Sequence, residues 1–333
     1  MQDKNILISF LQAFGILLVV LGHSCHFAPD DPFWYTWIYS FHMPLFMFIS
    51  GFLLQYGNER KGISLTDVPL YGRKGFIWKK VKRLLIPYVV ISSLAFLPKS
   101  LLNRFADRPV EVSFDAYLHQ LIYPWENVIK FFWFLPTLFI IFLIIIYGAR
   151  LLKDLDKPIW HIVLLVLLLL LHLFNPLTGI KILNLEGVVN YLIYFCLGFF
   201  CCRYHIIKYL NYNLWFTTLS FALSLIFVVT IGKGVLTAIN GIALSILLGR
   251  IYLKRQCHFM HHLFGASYAI YLFSWFPQTA SQQVFLGITH APWQIGCALA
   301  IISGIYIPWL IYRWIIKNKN THWGKWIALL TGQ

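Results

Sequence analysis

Acidic charge is scarce in this chain. Only 12 Asp and Glu stand among 333 residues, and all charged residues together make 12%. A soluble domain carries about twice that fraction, so a chain folded wholly in water is excluded. Linkers rich in Pro, Gly or Ser are missing, which excludes a string of separate soluble domains. Internal repeats are missing too, which argues against a transporter built from inverted repeats. The sequence contains no Gly-rich nucleotide loop and no Gly-x-Ser-x-Gly elbow.

What fills the space is apolar: 59% of residues are hydrophobic and 18% aromatic. They come in runs long enough to cross a bilayer. Ten spans are expected, at about 6–25, 37–56, 84–102, 131–149, 159–176, 186–202, 213–231, 235–252, 264–285 and 293–316. The first is expected to stay on the chain, because it is long for a signal peptide, contains Gln12 and lacks a small-residue cleavage site before His23. The fold class is therefore an all-α, polytopic membrane helix bundle of about ten transmembrane helices. Residues 1–333 read as a single integral-membrane domain.

The net charge of +15 suggests nucleic acid at first sight, but topology accounts for it. With the N-terminus inside, 21 Lys and Arg fall on the inner side, from Lys4 through the block Arg60–Arg83 to Lys325. Six fall outside: Lys99, Arg104, Arg108, Lys130, Lys181 and Lys233. This asymmetry places both termini in the cytoplasm and no nucleic-acid partner is expected. Residues 57–83 read as a basic inner stretch that includes a helix lying along the membrane surface. Residues 103–130 mix charges with aromatics and read as an outer segment that dips into the interface. Of six cysteines, Cys196, Cys201 and Cys202 share one span, Cys297 lies in another and Cys257 in an inner loop. Cys25 is near the outer face with no partner there, so free thiols are expected.

Polar residues inside spans are the informative exceptions. Gln12 and His23 are eleven residues apart, about 16 Å along one side of the first helix. His26 follows close by. Ser267, Tyr271, Ser274, Gln278 and Gln282 form a stripe on the ninth span, and Glu186, Asn190, Tyr194 and Cys201 another on the sixth. Lipid leaves such groups unpaired, so they face the bundle interior or water. Either a polar passage or interhelical hydrogen bonding satisfies the pattern. His23 is a side chain able to take and return a proton near neutral pH, and His42 begins the second span near the same face. Cys257, His258, His261 and His262 have loose spacing for a metal, and no metal site is expected. Pro44, Pro87, Pro98, Pro136, Pro277 and Pro308 each remove a backbone donor from a span.

Six short words follow one another along the chain: "GILLVVLGHS" (15–24), "YSFHMPLFMFISGFLL" (39–54), "KRLLIPY" (82–88), "FWFLPTLF" (132–139), "YFCLGFF" (194–200) and "SYAIYLF" (267–273). In this order they resemble the acyltransferase-3 superfamily of membrane O-acyltransferases, especially its fucose 4-O-acetylase-like branch. The resemblance covers nearly the whole chain. It implies a bacterial inner-membrane, multi-pass enzyme that takes an acetyl or other short acyl group from cytoplasmic acyl-CoA, with no further cofactor. The acceptor it implies is a sugar hydroxyl of a surface glycan or lipid-linked precursor. The family's first span carries a basic residue, ten residues and then a histidine. His23 matches the histidine, while Gln12 stands in the basic position, Ser9 where relatives often have Asp, and Ser274 where many have His.

The site expected from both lines of reasoning has His23 as general base. Lys82 and Arg83 meet the donor's phosphates, and Gln12, Tyr271 and Ser274 meet its acyl-bearing arm. His42, Trp133, Glu186 and Asn190 meet the acceptor, with Trp125 and Trp133 as sugar-stacking rings. Membrane lipids surround the bundle, and a homo-oligomer is compatible with it. The competing class is a non-enzymatic exporter or flippase for a glycan or lipid-linked sugar. A third is an assembly partner for a polysaccharide synthase.

Overall fold

The structure, a computed structural model, describes residues 2–25, 32–101, 109–210, 213–255, 257–289 and 292–332. His26, Arg104, Arg108 and the side chain of Lys4 lie outside the described residues. Every regular element described is helical. The long helices follow the expected spans: α1 (Gln2–Ser24), α2 (Phe33–Glu59), α3 (Phe76–Lys80) leading through a wide turn into α4 (Ile86–Leu101), the short α5 (Phe114–Ile122), α6 (Phe134–Leu151) and α7 (Pro158–Leu173). They continue with α8 (Leu185–Arg203), α9 (Leu214–Thr230), α10 (Val235–Lys254), α11 (His258–His262), α12 (Ser267–Phe273), α13 (Trp275–Thr289), α14 (Trp293–Asn318) and α15 (His322–Leu330).

Seven of these stretches are long and apolar enough to cross a membrane. α7 and α9, at 16 and 17 residues, are apolar but shorter. The ninth expected span is divided into α12 and α13 around Ser274. Pro277 is the cause, since it has no N–H to give the carbonyl of Phe273 one turn earlier. In Phe76–Leu101 and in Trp293–Asn318 only 33% of the apolar window is buried. Such apolar exposure suits lipid and not water. The chain is a polytopic helical membrane protein.

Packing divides the chain into two compact units, Met1–Leu53 with Gly198–Ile316 and Leu54–Leu197 with Lys317–Gln333. Their boundaries fall inside α2, α8 and α14. In the first unit, close helix approach depends on missing side chains. A Cβ on Gly22 would come 2.8 Å from the Tyr39 ring, and one on Gly198 would run into the Phe48 carbonyl. α9 and α10 pair through Ser220 and Asn240, whose amide donates to the Ser220 carbonyl at 2.9 Å. Trp37 Nε1 donates to Ser224 Oγ at 2.9 Å, and Arg250 donates to the carbonyls of Ile207 and Leu210.

In the second unit the expected surface helix within 57–83 is absent. α2 continues to Glu59, a single 3-10 turn covers Leu65–Asp67, and α3 already belongs to the next span. Between α3 and α4, Val81–Leu85 forms a π turn in which Ile86 N–H bonds to the Val81 carbonyl. Pro87 again explains it, because its ring crowds the carbonyl of Arg83 and the ladder widens around it. The segment expected on the outer side holds α5, N-capped by Ser113, whose Oγ accepts from Ala116 N at 3.0 Å. Before α8 the backbone turns left-handed at Leu183 (φ 47°) and Asn184 (φ 55°).

Candidate functional site

The site at the end of α1 is built on backbone carbonyls. The last four carbonyls of a helix have no partner within it. Here Ser24 Oγ donates to Val20 O at 2.7 Å, and Gln278 Nε2 donates to Val20 O at 3.0 Å and to Ser24 Oγ at 2.8 Å. Gln282 Nε2 donates to Ser24 O at 2.6 Å. At Gln278 and Gln282 the ninth-span stripe thus closes the end of α1 through interhelical hydrogen bonds. The next residue, Cys25, is disulfide-bonded to Cys297, with Cα atoms 4.8 Å apart. The expectation of six free thiols is corrected for these two. The end of α1 and the beginning of α14 meet, which span-by-span counting does not register. Cys196, Cys201, Cys202 and Cys257 are free.

His23, half-buried, is held in this closed end. Tyr39 Oη of α2 lies 3.2 Å from His23 Nδ1 and 3.5 Å from Nε2, and 3.4 Å from the Gly22 carbonyl. The two rings meet edge-on with centroids 5.8 Å apart. Tyr39 also packs edge-on to His42, at 4.8 Å, and against Tyr35, at 4.1 Å, while Lys233 Nζ sits 5.5 Å from its ring centre. The structure therefore brings His23 and His42 to one tyrosine. His42 is 2% exposed, and its Nδ1 lies 2.8 Å from the Ile38 carbonyl. A carbonyl only accepts, so Nδ1 carries the proton and Nε2 is left as the acceptor. Tyr39 and Lys233 were not singled out from sequence. The available signal was that Tyr39 and His42, three apart, share one face of α2.

The expected donor residues divide between the units. Gln12 is half-buried and makes no hydrogen bond to the described residues. Tyr271 and Ser274 are buried, and Ser267 Oγ and Ser274 Oγ are without a hydrogen-bond partner among the described residues. These belong to the first unit. In the second, Lys82 and Arg83 sit in the π turn, with Lys82 Nζ 5.9 Å from the Trp78 ring centre. The neighbouring Lys80 turns inward instead, its Nζ 3.3 Å from the centre of the Phe142 ring.

The expected acceptor residues of the second unit form a connected cluster at the α7–α8 end. Asn175 Nδ2 bridges Glu186 O at 3.0 Å and Asn190 Oδ1 at 2.9 Å, and Glu186 Oε2 accepts from Gly179 N at 3.1 Å. His172 Nδ1 lies 2.8 Å from Asn190 O. Trp133 is 5% exposed and sits between two nearly parallel rings, Trp125 at 4.9 Å and Tyr191 at 5.2 Å. Its faces are occupied, so the ring open for stacking is Trp125, at 43% exposure. Trp125 Nε1 donates to Asn184 Oδ1 at 2.7 Å, and Asn184 Nδ2 donates to Thr137 Oγ1 at 2.8 Å. Asn175 and Asn184 carried no sequence signal beyond their positions near span ends, and His172, eleven residues after His161 on the fifth span, reads from sequence as a packing or interfacial residue. Among the described residues no group of three or more His, Cys, Asp or Glu is placed to hold a metal.

A polytopic helical bundle with a histidine secured at the end of its first span is the class of protein these features define. The family model for an acyltransferase domain of type 3 matches residues 5–313, and the chain belongs to that family. It is similar to Nodulation protein NolL of Mesorhizobium japonicum (strain LMG 29417 / CECT 9101 / MAFF 303099), 26% identical over 215 residues. That match covers 60% of this chain and 48% of the relative. Nodulation protein NolL of Sinorhizobium fredii (strain NBRC 101917 / NGR234) is 43% identical over 59 residues, 16% of each chain. The chain therefore spans about half or less of the length of these curated relatives. No solved structure matches.

Proposed function

We propose that the chain is a membrane O-acyltransferase, one domain of the bacterial inner membrane, that moves an acetyl or other short acyl group from acyl-CoA to a sugar hydroxyl of a surface glycan or lipid-linked precursor. The observation that carries this reading is His23, held by Tyr39 at 3.2 Å on the closed end of α1, in a chain of the acyltransferase family. A ring nitrogen of His23 takes the proton of the acceptor hydroxyl, and the freed oxygen attacks the thioester carbonyl. The carbon–sulfur bond then breaks, and the departing thiolate takes its proton from the imidazolium. Lys82 and Arg83 serve the donor's phosphates, and Gln12, Tyr271 and Ser274 its acyl arm. His42, Glu186 and Asn190 serve the acceptor, with Trp125 supplying the open stacking face.

The test compares alkali-labile acetyl groups on surface glycans of cells lacking the protein, cells carrying it, and cells carrying His23→Ala at equal membrane level. The expected result is acetylation restored by the wild type and absent in the variant. Unchanged acetylation across all three, with the glycan itself missing from the surface of the deletion strain, would sink the enzyme reading in favour of export.

A further inference from the structure

The chain segment that leads into α3 leaves an open cleft of about 350 Å3 in the second unit. That volume lies at the small end of the range for ligand sites. Leu70 and Ile77 give it an apolar lining, and Tyr71, Trp78 and Arg73 complete it. Tyr71 and Trp78 are 73% and 42% exposed, yet Tyr71 is not loose. Its Oη lies 3.0 Å from Tyr147 Oη on α6, and Arg150, one turn further along α6, donates to the Val68 carbonyl. An exposed aromatic surface held in place by a second helix is preorganised for a flat partner.

Arg73 lines the cleft, and Lys74, Lys79, Lys82 and Arg83 stand close to it in sequence, with Asp67 the acidic residue nearest along the chain. Lys82 approaches the Trp78 ring. Aromatic rings that stack a planar heterocycle, beside cations that meet phosphates, are the elements that bind nucleotides without a Gly-rich loop. A lipid headgroup would use the cations but has no ring to place against Tyr71 and Trp78.

We propose that this cleft receives the adenine ring of acyl-CoA, with Arg73 and Lys74 meeting the phosphates of its nucleotide. The proposal rests on acyl-CoA being the donor, and extends the donor site beyond Lys82 and Arg83. It makes the nucleotide an anchor, distinct from the thioester arm that reacts.

The experiment uses the full chain in nanodiscs of phosphatidylcholine. Affinities are measured for CoA, for adenosine 3′,5′-bisphosphate, which lacks the arm, and for 4′-phosphopantetheine, which lacks the nucleotide. In the wild type the bisphosphate is expected to compete with CoA. Trp78→Ala and Arg73→Ala are each expected to weaken CoA about tenfold and to abolish competition by the bisphosphate. Both variants should keep the wild-type affinity for 4′-phosphopantetheine, and Trp78→Phe should restore most of the CoA affinity. CoA affinity unchanged in both alanine variants overturns the proposal. So does an equal loss for CoA and 4′-phosphopantetheine. Variants that bind CoA normally but lose retention on phosphatidylglycerol vesicles identify a lipid occupant and also overturn it. A wild type that binds no CoA at all overturns the donor reading itself, a result separable from the others.

Discussion

Tyr39→Phe removes one oxygen atom and leaves the ring. The packing against Tyr35, His42 and Lys233 is ring packing, so the substitution preserves it. What disappears is the hydroxyl contact to His23 at 3.2 Å and the longer one to the Gly22 carbonyl at 3.4 Å. A neutral hydrogen bond contributes about 0.5–1.5 kcal/mol net, and these are at the long end of the distance range. A loss of about 1 kcal/mol corresponds to roughly a fivefold fall in rate. The assay is the initial rate of glycan acetylation in membrane vesicles supplied with acetyl-CoA, at matched protein level and varied acceptor. If Tyr39 orients His23 and does not hold the sugar, the fall lies in kcat, with the acceptor KM unchanged. An unchanged rate would refute the orienting role. A loss as complete as that of His23→Ala would make the phenol itself a proton carrier.

Two further outcomes follow from packing. Maleimide labelling of the denatured, unreduced protein should count four thiols, rising to six after reduction, and Cys25→Ser with Cys297→Ser should lower the thermal midpoint in detergent, the missing crosslink costing about 2–4 kcal/mol. Asn184→Gly keeps the left-handed backbone but deletes the bonds to Trp125 and Thr137. It should destabilise by about 1–3 kcal/mol in the same melt.

Much of the fold was legible because lipid imposes it. Long apolar runs, Pro87 and Pro277 as interruptions, and the polar residues as inward-facing could all be read from local sequence. Direction of use was not legible. Gln278 and Gln282 read as a polar stripe whether they face water or the carbonyls of Val20 and Ser24, since both satisfy the same amides. Cys25 and Cys297 are 272 residues apart, and their pairing depends on which helix ends are neighbours. Trp133 looked like a sugar platform by type, but Trp125 and Tyr191 already cover its faces. His23 was found because its pattern lies within one helix. Tyr39 was missed because its role exists only between two.

The Cys25–Cys297 bond is also a compass. Cytosolic thiols are kept reduced by glutathione and thioredoxin, whereas disulfides persist on the oxidising side of a membrane. On the proposed inner-membrane reading, the disulfide turns the far end of α1, and His23 with it, away from the cytosol. The asymmetry of basic residues leads to the expectation of the same orientation from an unrelated cause, the energetics of inserting cations. In the proposed reaction, a sugar acceptor arriving from that side would meet His23 first, with the acyl donor approaching from the other.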